Sequence, residues 1–166
     1  MAGVAVFFVG ALGCNEPKYP VSTDHPLLGR ALPALPRRNL VAGGTLEPSE
    51  LRGRALAVVF FRETCDGCTS TLRAAQAVLM GTHGVLFIGA GEDDDSAATA
   101  RVVARDHLTF PVLHDEGHVL REALRVMRLP TTFLTDRDGV VRWVAAYELQ
   151  SDDLIEAVRS EEGAER

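Results

Sequence analysis

Ala57-Val58-Val59-Phe60-Phe61-Arg62-Glu63-Thr64-Cys65-Asp66-Gly67-Cys68-Thr69-Ser70-Thr71-Leu72 carries two signals in sixteen consecutive residues. Val58 to Phe61 is an apolar, β-branched and aromatic run, the composition of a strand covered on both faces. Ser70 to Met80 then places Leu72, Ala75, Val78 and Leu79 near helical spacing, which predicts a helix over 66–80. The two cysteines fall at the junction, in the helix's first turn. Residues three apart share a helix face, so Cys65 and Cys68 are within reach of disulfide geometry with little backbone movement. Amide groups left open at a helix start stabilise an anion and lower a thiol's pKa from about 8.5 toward neutrality. Cys65, nearer the end, is the candidate nucleophile, and Cys68, one turn inside, the candidate resolving thiol.

Outward from this stretch, Gly84 to Gly91 is a second fully apolar strand. Glu92 to Asp95 follow as acids at the start of a helix running to about His107, where they complement its dipole. Their consecutive spacing does not match a calcium loop, so they are expected to form a solvated helix entry. Phe110 to Leu113 predicts a short strand and Val119 to Val126 a short helix. Thr131–Thr135 and Val140–Ala146 are β-rich runs joined by Asp136-Arg137-Asp138-Gly139, a hairpin turn. Ser151 is expected to cap a final helix carrying Leu154, Ile155 and Val158, with Asp152 and Asp153 in its first turn. Before the central strand, Gly43-Gly44 signals a hairpin-type turn and Pro48 to Gly53 a short turn. The element order predicts an α/β sandwich with parallel strands first and an antiparallel pair last.

The chain has 166 residues, 46% of them hydrophobic, enough for one domain with a real core. Its net charge of −6, with no basic cluster larger than Arg37-Arg38, argues against a nucleic-acid partner. Ala2 to Leu12 is too short an apolar run to span a bilayer but suits an export signal. Ala11-Leu12-Gly13-Cys14 resembles a bacterial lipobox, with Ala11 where a Leu is usual, which makes Cys14 a candidate lipidation site. The alternative is a plain apolar strand with an incidental cysteine. With Cys14 set aside, one pair remains, the cysteine count of a redox enzyme and not of a disulfide scaffold. Asn15 to Pro36, with five prolines and no periodicity, reads as a tether.

Cys65-Asp66-Gly67-Cys68 after a buried strand, Arg128-Leu129-Pro130-Thr131-Thr132-Phe133-Leu134 downstream, and Asp136-Arg137-Asp138-Gly139 beyond it resemble the TlpA/ResA-like thiol-disulfide oxidoreductases of the thioredoxin superfamily, an AhpC/TSA-Redoxin-type domain. The resemblance spans about Leu27 to Arg159. It implies a thioredoxin-like three-layer sandwich, a central mixed sheet flanked by helices. The expected organisation is a signal or lipoprotein-type segment at 1–14, a tether at 15–36, the thioredoxin-like domain at 37–160 and a tail at 161–166. The resemblance makes Pro130 a cis-proline beside the dithiol, with Leu129, Pro130 and Thr131 binding an extended substrate segment.

Five positions depart from that pattern. Thr64 stands where the family usually has Trp, and Asp66-Gly67 where a Pro is common between the cysteines. Asp66 sets a negative charge beside Cys65, which opposes the helix effect on that thiol. Val59 occupies the place of the acid that thioredoxins bury under the motif, and Thr71 that of the Glu in ResA-like proteins. Glu63, the nearest remaining acid, is expected to be solvated, which leaves water to carry the Cys68 proton.

The implied activity is thiol-disulfide exchange with protein substrates, in a reductive role outside the cytoplasm. A monomer is expected, periplasmic or lipid-anchored, recharged by a membrane thiol carrier. No metal or other cofactor is required beyond the redox-active disulfide. Two alternatives stand beside this reading. Gly67-Cys68-Thr69 faintly resembles the surroundings of a peroxidatic cysteine, but Cys65 occupies the position of the Thr that orients peroxide there. A thioredoxin-fold module holding Cu(I) through the two thiolates is the other. His83, His107, His114 and His118 are scattered, and His114 and His118 are expected at the surface.

Overall fold

The computed structural model describes residues 24–35, 46, 48–81 and 84–164. The segment 1–14 with Cys14, the Gly43-Gly44 turn and His83 lie outside the described residues. The apolar run around Val58 is β1 (Ala55–Phe61), and all seven of its residues are buried. It forms the middle of a five-stranded sheet of order β3-β2-β1-β4-β5. β2 (Val85–Gly91) lies parallel to β1, with Ala55 opposite Val85 and Phe61 opposite Gly91. β3 (Val112–His114) extends the parallel set. On the other side of β1, β4 (Thr131–Thr135) is antiparallel, and β5 (Val141–Ala145) returns from it through the Asp136–Gly139 turn.

Because β1 alternates in a sheet covered twice, its residues divide between two cores. Ala57, Val59 and Phe61 pack with Leu72, Ala75 and Val78 of α2 (Cys68–Leu79), Val102 of α3 (Ser96–Arg105), and Leu154 and Val158 of α5 (Ser151–Ala164). Leu56, Val58 and Phe60 face Leu120 of α4 (Val119–Ala123), Leu124, Val126 and Phe133 on the opposite side. The successive crossovers β1-α2-β2 and β2-α3-β3 step outward in one direction, and right-handed connections put both helices on the same face. The result is three layers around a mixed sheet.

Several expectations are corrected. Residues 24–35 are no tether: Gly29 N–H donates to the Val141 carbonyl, Val141 N–H to that of Arg30, and Leu32 N–H to that of Gly139, each at 2.8 Å. Ala31 bridges Val140, and Leu27, Leu28, Leu32 and Leu35 pack against the second core. The domain therefore takes in residues assigned to the tether. Pro48–Leu51 is a short helix, α1. α2 starts at Cys68 and not at 66, because Gly67 takes the left-handed φ of 80° as its N-cap. Ser151 is the first residue of α5 and not its cap; Asp153 closes that end, its carboxylate accepting from Gln150 N–H at 2.8 Å. α5 runs on to Ala164, into the predicted tail.

Of the acids after β2, Asp94 and Asp95 are exposed as expected, but Glu92 and Asp93 are not. Glu92 is 0% exposed and Asp93 7%. Glu92 pairs with Arg121 at 3.0 Å, and Asp93 accepts from Glu63 N–H and the Thr99 hydroxyl. Asp95 alone caps α3, accepting from Ala97 N–H at 2.9 Å.

Candidate active site

β1 delivers the chain to the dithiol. After Phe61 the backbone turns: Cys65 N–H donates to the Arg62 carbonyl at 3.2 Å and Cys68 N–H to that of Cys65 at 3.3 Å. Cys65 thus lies in the turn before α2, three residues ahead of the helix whose first turn was expected to hold it, and Cys68 opens the helix. The two sulfurs are joined in a disulfide, with Cα atoms 5.5 Å apart. Cys65 is half-buried, whereas Cys68 is 1% exposed and packed with Leu72 and Leu149. A partner thiol or disulfide meets Cys65 first.

The flanking residues fix this turn from both sides. The Arg62 guanidinium donates twice to the Glu92 carbonyl, at 3.3 and 3.0 Å. Glu63 lies toward solvent as expected but is not free there: Arg101 grips its carboxylate with two bonds of 2.7 and 2.8 Å and holds its carboxyl below the usual range. Thr64 and Asp66 are exposed. Past Cys68, the Thr69 hydroxyl accepts from Arg105 at 2.8 Å, and the same guanidinium pairs with buried Asp106 at 2.7 Å. Val59, in the position of the family's buried acid, is an apolar core residue. Thr71 is fully buried, and its hydroxyl accepts from Leu149 N–H at 2.9 Å.

The Leu129–Pro130 peptide bond is cis. The pairing of Phe60 with Thr131 sets Pro130 at the end of β1 from which the chain enters the cysteine turn. Pro130 and Thr131 are buried, and the Thr131 hydroxyl donates to the Arg128 carbonyl at 2.7 Å. Leu129 is the partly exposed side chain of the three.

His114, expected at the surface, is buried in β3 at 7% exposure. His118 pairs with Asp94 at 3.3 Å. Among the described residues no group of three or more His, Cys, Asp or Glu is arranged to hold a metal ion. Among them too, no helix is long and apolar enough to cross a membrane.

The model of the AhpC/TSA family matches residues 28–144, a span that takes in the docked N-terminal segment, the dithiol and the cis-proline. The chain belongs to this family. Relatives among curated proteins include a thiol-disulfide oxidoreductase ResA from Oceanobacillus iheyensis, 23% identical over 112 residues, covering 66% of this chain and 58% of that protein. A ResA from Bacillus thuringiensis subsp. konkukian is 28% identical over 101 residues, 60% of this chain and 58% of the relative. The chain therefore spans less than two thirds of the length of these relatives. Among solved structures, a secreted Mycobacterium tuberculosis disulfide oxidoreductase homologous to E. coli DsbE superposes with a TM-score of 0.68 at 21% identity, over 76% of this chain and 95% of the other. StoA from Bacillus subtilis gives 0.66 at 18% identity, over 77% and 98%. A thioredoxin-family thiol:disulfide interchange protein from Chlorobium tepidum gives 0.70 at 20% identity, over 79% and 94%. The fold of this AhpC/TSA member is thioredoxin-like, as expected.

Sequence reasoning missed two features of the site. Arg105, on α3, and the loop carrying Glu148 and Leu149 reach the turn only in three dimensions. No local spacing marks either of them.

Proposed function

We propose that the chain is a thiol-disulfide oxidoreductase whose working group is the Cys65–Cys68 pair. The observation that carries this is the pairing of a half-exposed Cys65 with a buried Cys68 in one disulfide at the β1–α2 turn. Acting as a reductase, the Cys65 thiolate attacks a protein disulfide, forming a mixed disulfide and releasing one substrate thiolate. Cys68 then loses its proton and attacks the Cys65 sulfur. The second substrate thiolate leaves, and the Cys65–Cys68 disulfide holds the two oxidising equivalents. Leu129 and the backbone at the cis-Pro130 bond offer an extended substrate segment a place beside the attacked sulfur, with Thr131 buried behind them.

The reaction needs no metal or organic cofactor, but it needs two electrons for each turnover. The reading therefore includes a membrane thiol carrier as donor, a location outside the cytoplasm and a lipid anchor on Cys14, with the domain working as a monomer. The ResA relatives, thiol-disulfide oxidoreductases, support the exchange chemistry, and the mycobacterial neighbour, a secreted protein, supports the location.

The test is redox equilibration of the full chain, carrying Cys14→Ser, in glutathione and dithiothreitol buffers. One two-electron transition near or below about −250 mV, absent from Cys65→Ser and Cys68→Ser, is expected. The Cys68→Ser variant should also accumulate a mixed disulfide through Cys65. No transition, or peroxide turnover that survives Cys65→Ser with sulfenic acid on Cys68, would overturn the reading in favour of a peroxidase.

A further inference from the structure

The loop after β5 lies across the dithiol turn. Its anchor is the buried bond from Leu149 N–H to the Thr71 hydroxyl, 2.9 Å, between two residues that are each 0% exposed. The anchor fixes the residue next door, Glu148, whose side chain rests on Gly67 between the two cysteines. A Cβ built on Gly67 would stand 2.9 Å from Glu148 Oε2 and 3.3 Å from its Cβ. Two departures from the family pattern are therefore halves of one contact: Thr71 holds the loop down, and Gly67 makes room for the carboxylate.

The other charges around the turn are already engaged. Arg62 is bound to the Glu92 carbonyl, and Arg101 to Glu63. Arg105 reaches Thr69 from α3 but shares Asp106 with Arg73. Asp66 and Glu148 have no ion pair among the described residues; Gln150 offers Glu148 an amide at 3.4 Å. Arg62 meets only a neutral carbonyl and two guanidiniums share the one Asp106 carboxylate, so Asp66 and Glu148 are the acids at the turn whose charge no direct ion pair screens among the described residues.

Resting on the oxidoreductase reading, we propose that Glu148 is a positioning residue for exchange, its carboxylate over Gly67 disfavouring the Cys65 thiolate and making the dithiol more reducing than α2 alone would make it. A nearby negative charge disfavours the thiolate and leaves the uncharged disulfide comparatively untouched. Ionisation stabilises the reduced form, so suppressing it shifts the equilibrium toward disulfide and lowers the reduction potential.

The test compares Glu148→Gln, Glu148→Lys and Glu148→Asp with the wild-type pair in the full chain carrying Cys14→Ser. The readouts are the pH profile of Cys65 alkylation by iodoacetamide and equilibration with glutathione. In Glu148→Gln the thiolate fraction at pH 6 should rise about threefold, and with equilibration at a pH above the thiol's titration the equilibrium should move about threefold toward dithiol, about 14 mV less reducing. Glu148→Lys should move both further, and Glu148→Asp should fall between wild type and Gln. A parent protein with its two-electron transition, but with alkylation and potential unchanged or reversed in Gln and Lys, would overturn this inference and leave the oxidoreductase reading standing. A parent protein with no transition would overturn both.

Discussion

Arg121 reaches from α4 to the carboxylate of Glu92, Nη1 to Oε2 at 3.0 Å, and the Glu92 side chain is wholly buried. The pair ties the start of α4 to the end of β2. Burial raises the Glu92 pKa above its ordinary 4.5; Arg121 opposes that shift and nearby Asp115 adds to it. Removing the guanidinium leaves a buried charge without its partner. Arg121→Met should cost about 2–3 kcal/mol in urea unfolding at pH 7. The folded state binds the Glu92 proton more tightly than the unfolded chain, so acidification stabilises it. Without Arg121 the Glu92 pKa rises further, so the loss should shrink as pH falls through the variant's value to the raised wild-type value and stay level below it. An equal loss at pH 7 and pH 5 would contradict the raised carboxyl.

Gly91 lets Thr99 of α3 pack close against the sheet. A Cβ there would meet the Thr99 side chain, 2.5 Å from Oγ1 and 3.0 Å from Cβ. Thr99 is buried and its hydroxyl donates to Asp93, so it has no empty space to enter. Gly91→Ala should destabilise by about 2–4 kcal/mol. Thr99→Ser, which deletes the methyl and keeps the hydroxyl, should recover about 1 kcal/mol in the double variant by thermal or urea unfolding.

The Asp136 carboxylate closes the β4–β5 turn, accepting from Asp138 N–H at 3.0 Å, Val140 N–H at 2.9 Å and Arg142 Nε at 2.7 Å. Burial pushes its pKa up, but the Val140 bond and the Arg142 guanidinium outweigh burial and hold it below 3.8. Its stabilisation is then present above pH 3.8 and lost as pH falls through the depressed value. Asp136→Ala should cost about 1–2 kcal/mol at pH 6 and progressively less below pH 3.8. A pH-independent difference would count against the ionised cap.

Gly67 has both a left-handed φ of 80° and the Glu148 side chain against it. Gly67→Ala should lose about 1–3 kcal/mol. In a double-mutant cycle with Glu148→Ala, only the steric part should return, about 0.5–1 kcal/mol, because the backbone strain stays. Strict additivity would show that the two residues do not touch.

What was readable from sequence is what local pattern controls. Val58 to Phe61 announced a strand buried on both faces, and Asp136 to Gly139 a hairpin, because composition and turn chemistry act over a few residues. The Cys65–Cys68 pair was readable from its spacing after that strand. Glu92 and Asp93 were misread because acids before a helix normally cap it in water. Their burial depends on Arg121 and Thr99, which only the fold brings near. The docking of residues 24–35 was hidden for the same reason: its hydrogen bonds go to Gly139 and Val141, and a proline-rich stretch has no periodicity to betray them. Thr71 looked like a missing acid, whereas its function is to hold Leu149.

The segment from Gly29 to Leu32 has a consequence for any shortened form of the chain. β5 is the last strand of the sheet, and an uncovered terminal strand is a template on which another chain can add itself. Here the bonds to Gly139 and Val141 occupy that margin, and the leucines beside them close the apolar surface underneath. Cutting at residue 37, where a tether would end, would strip the cover and leave a sticky margin free to pair with its counterpart on a second molecule.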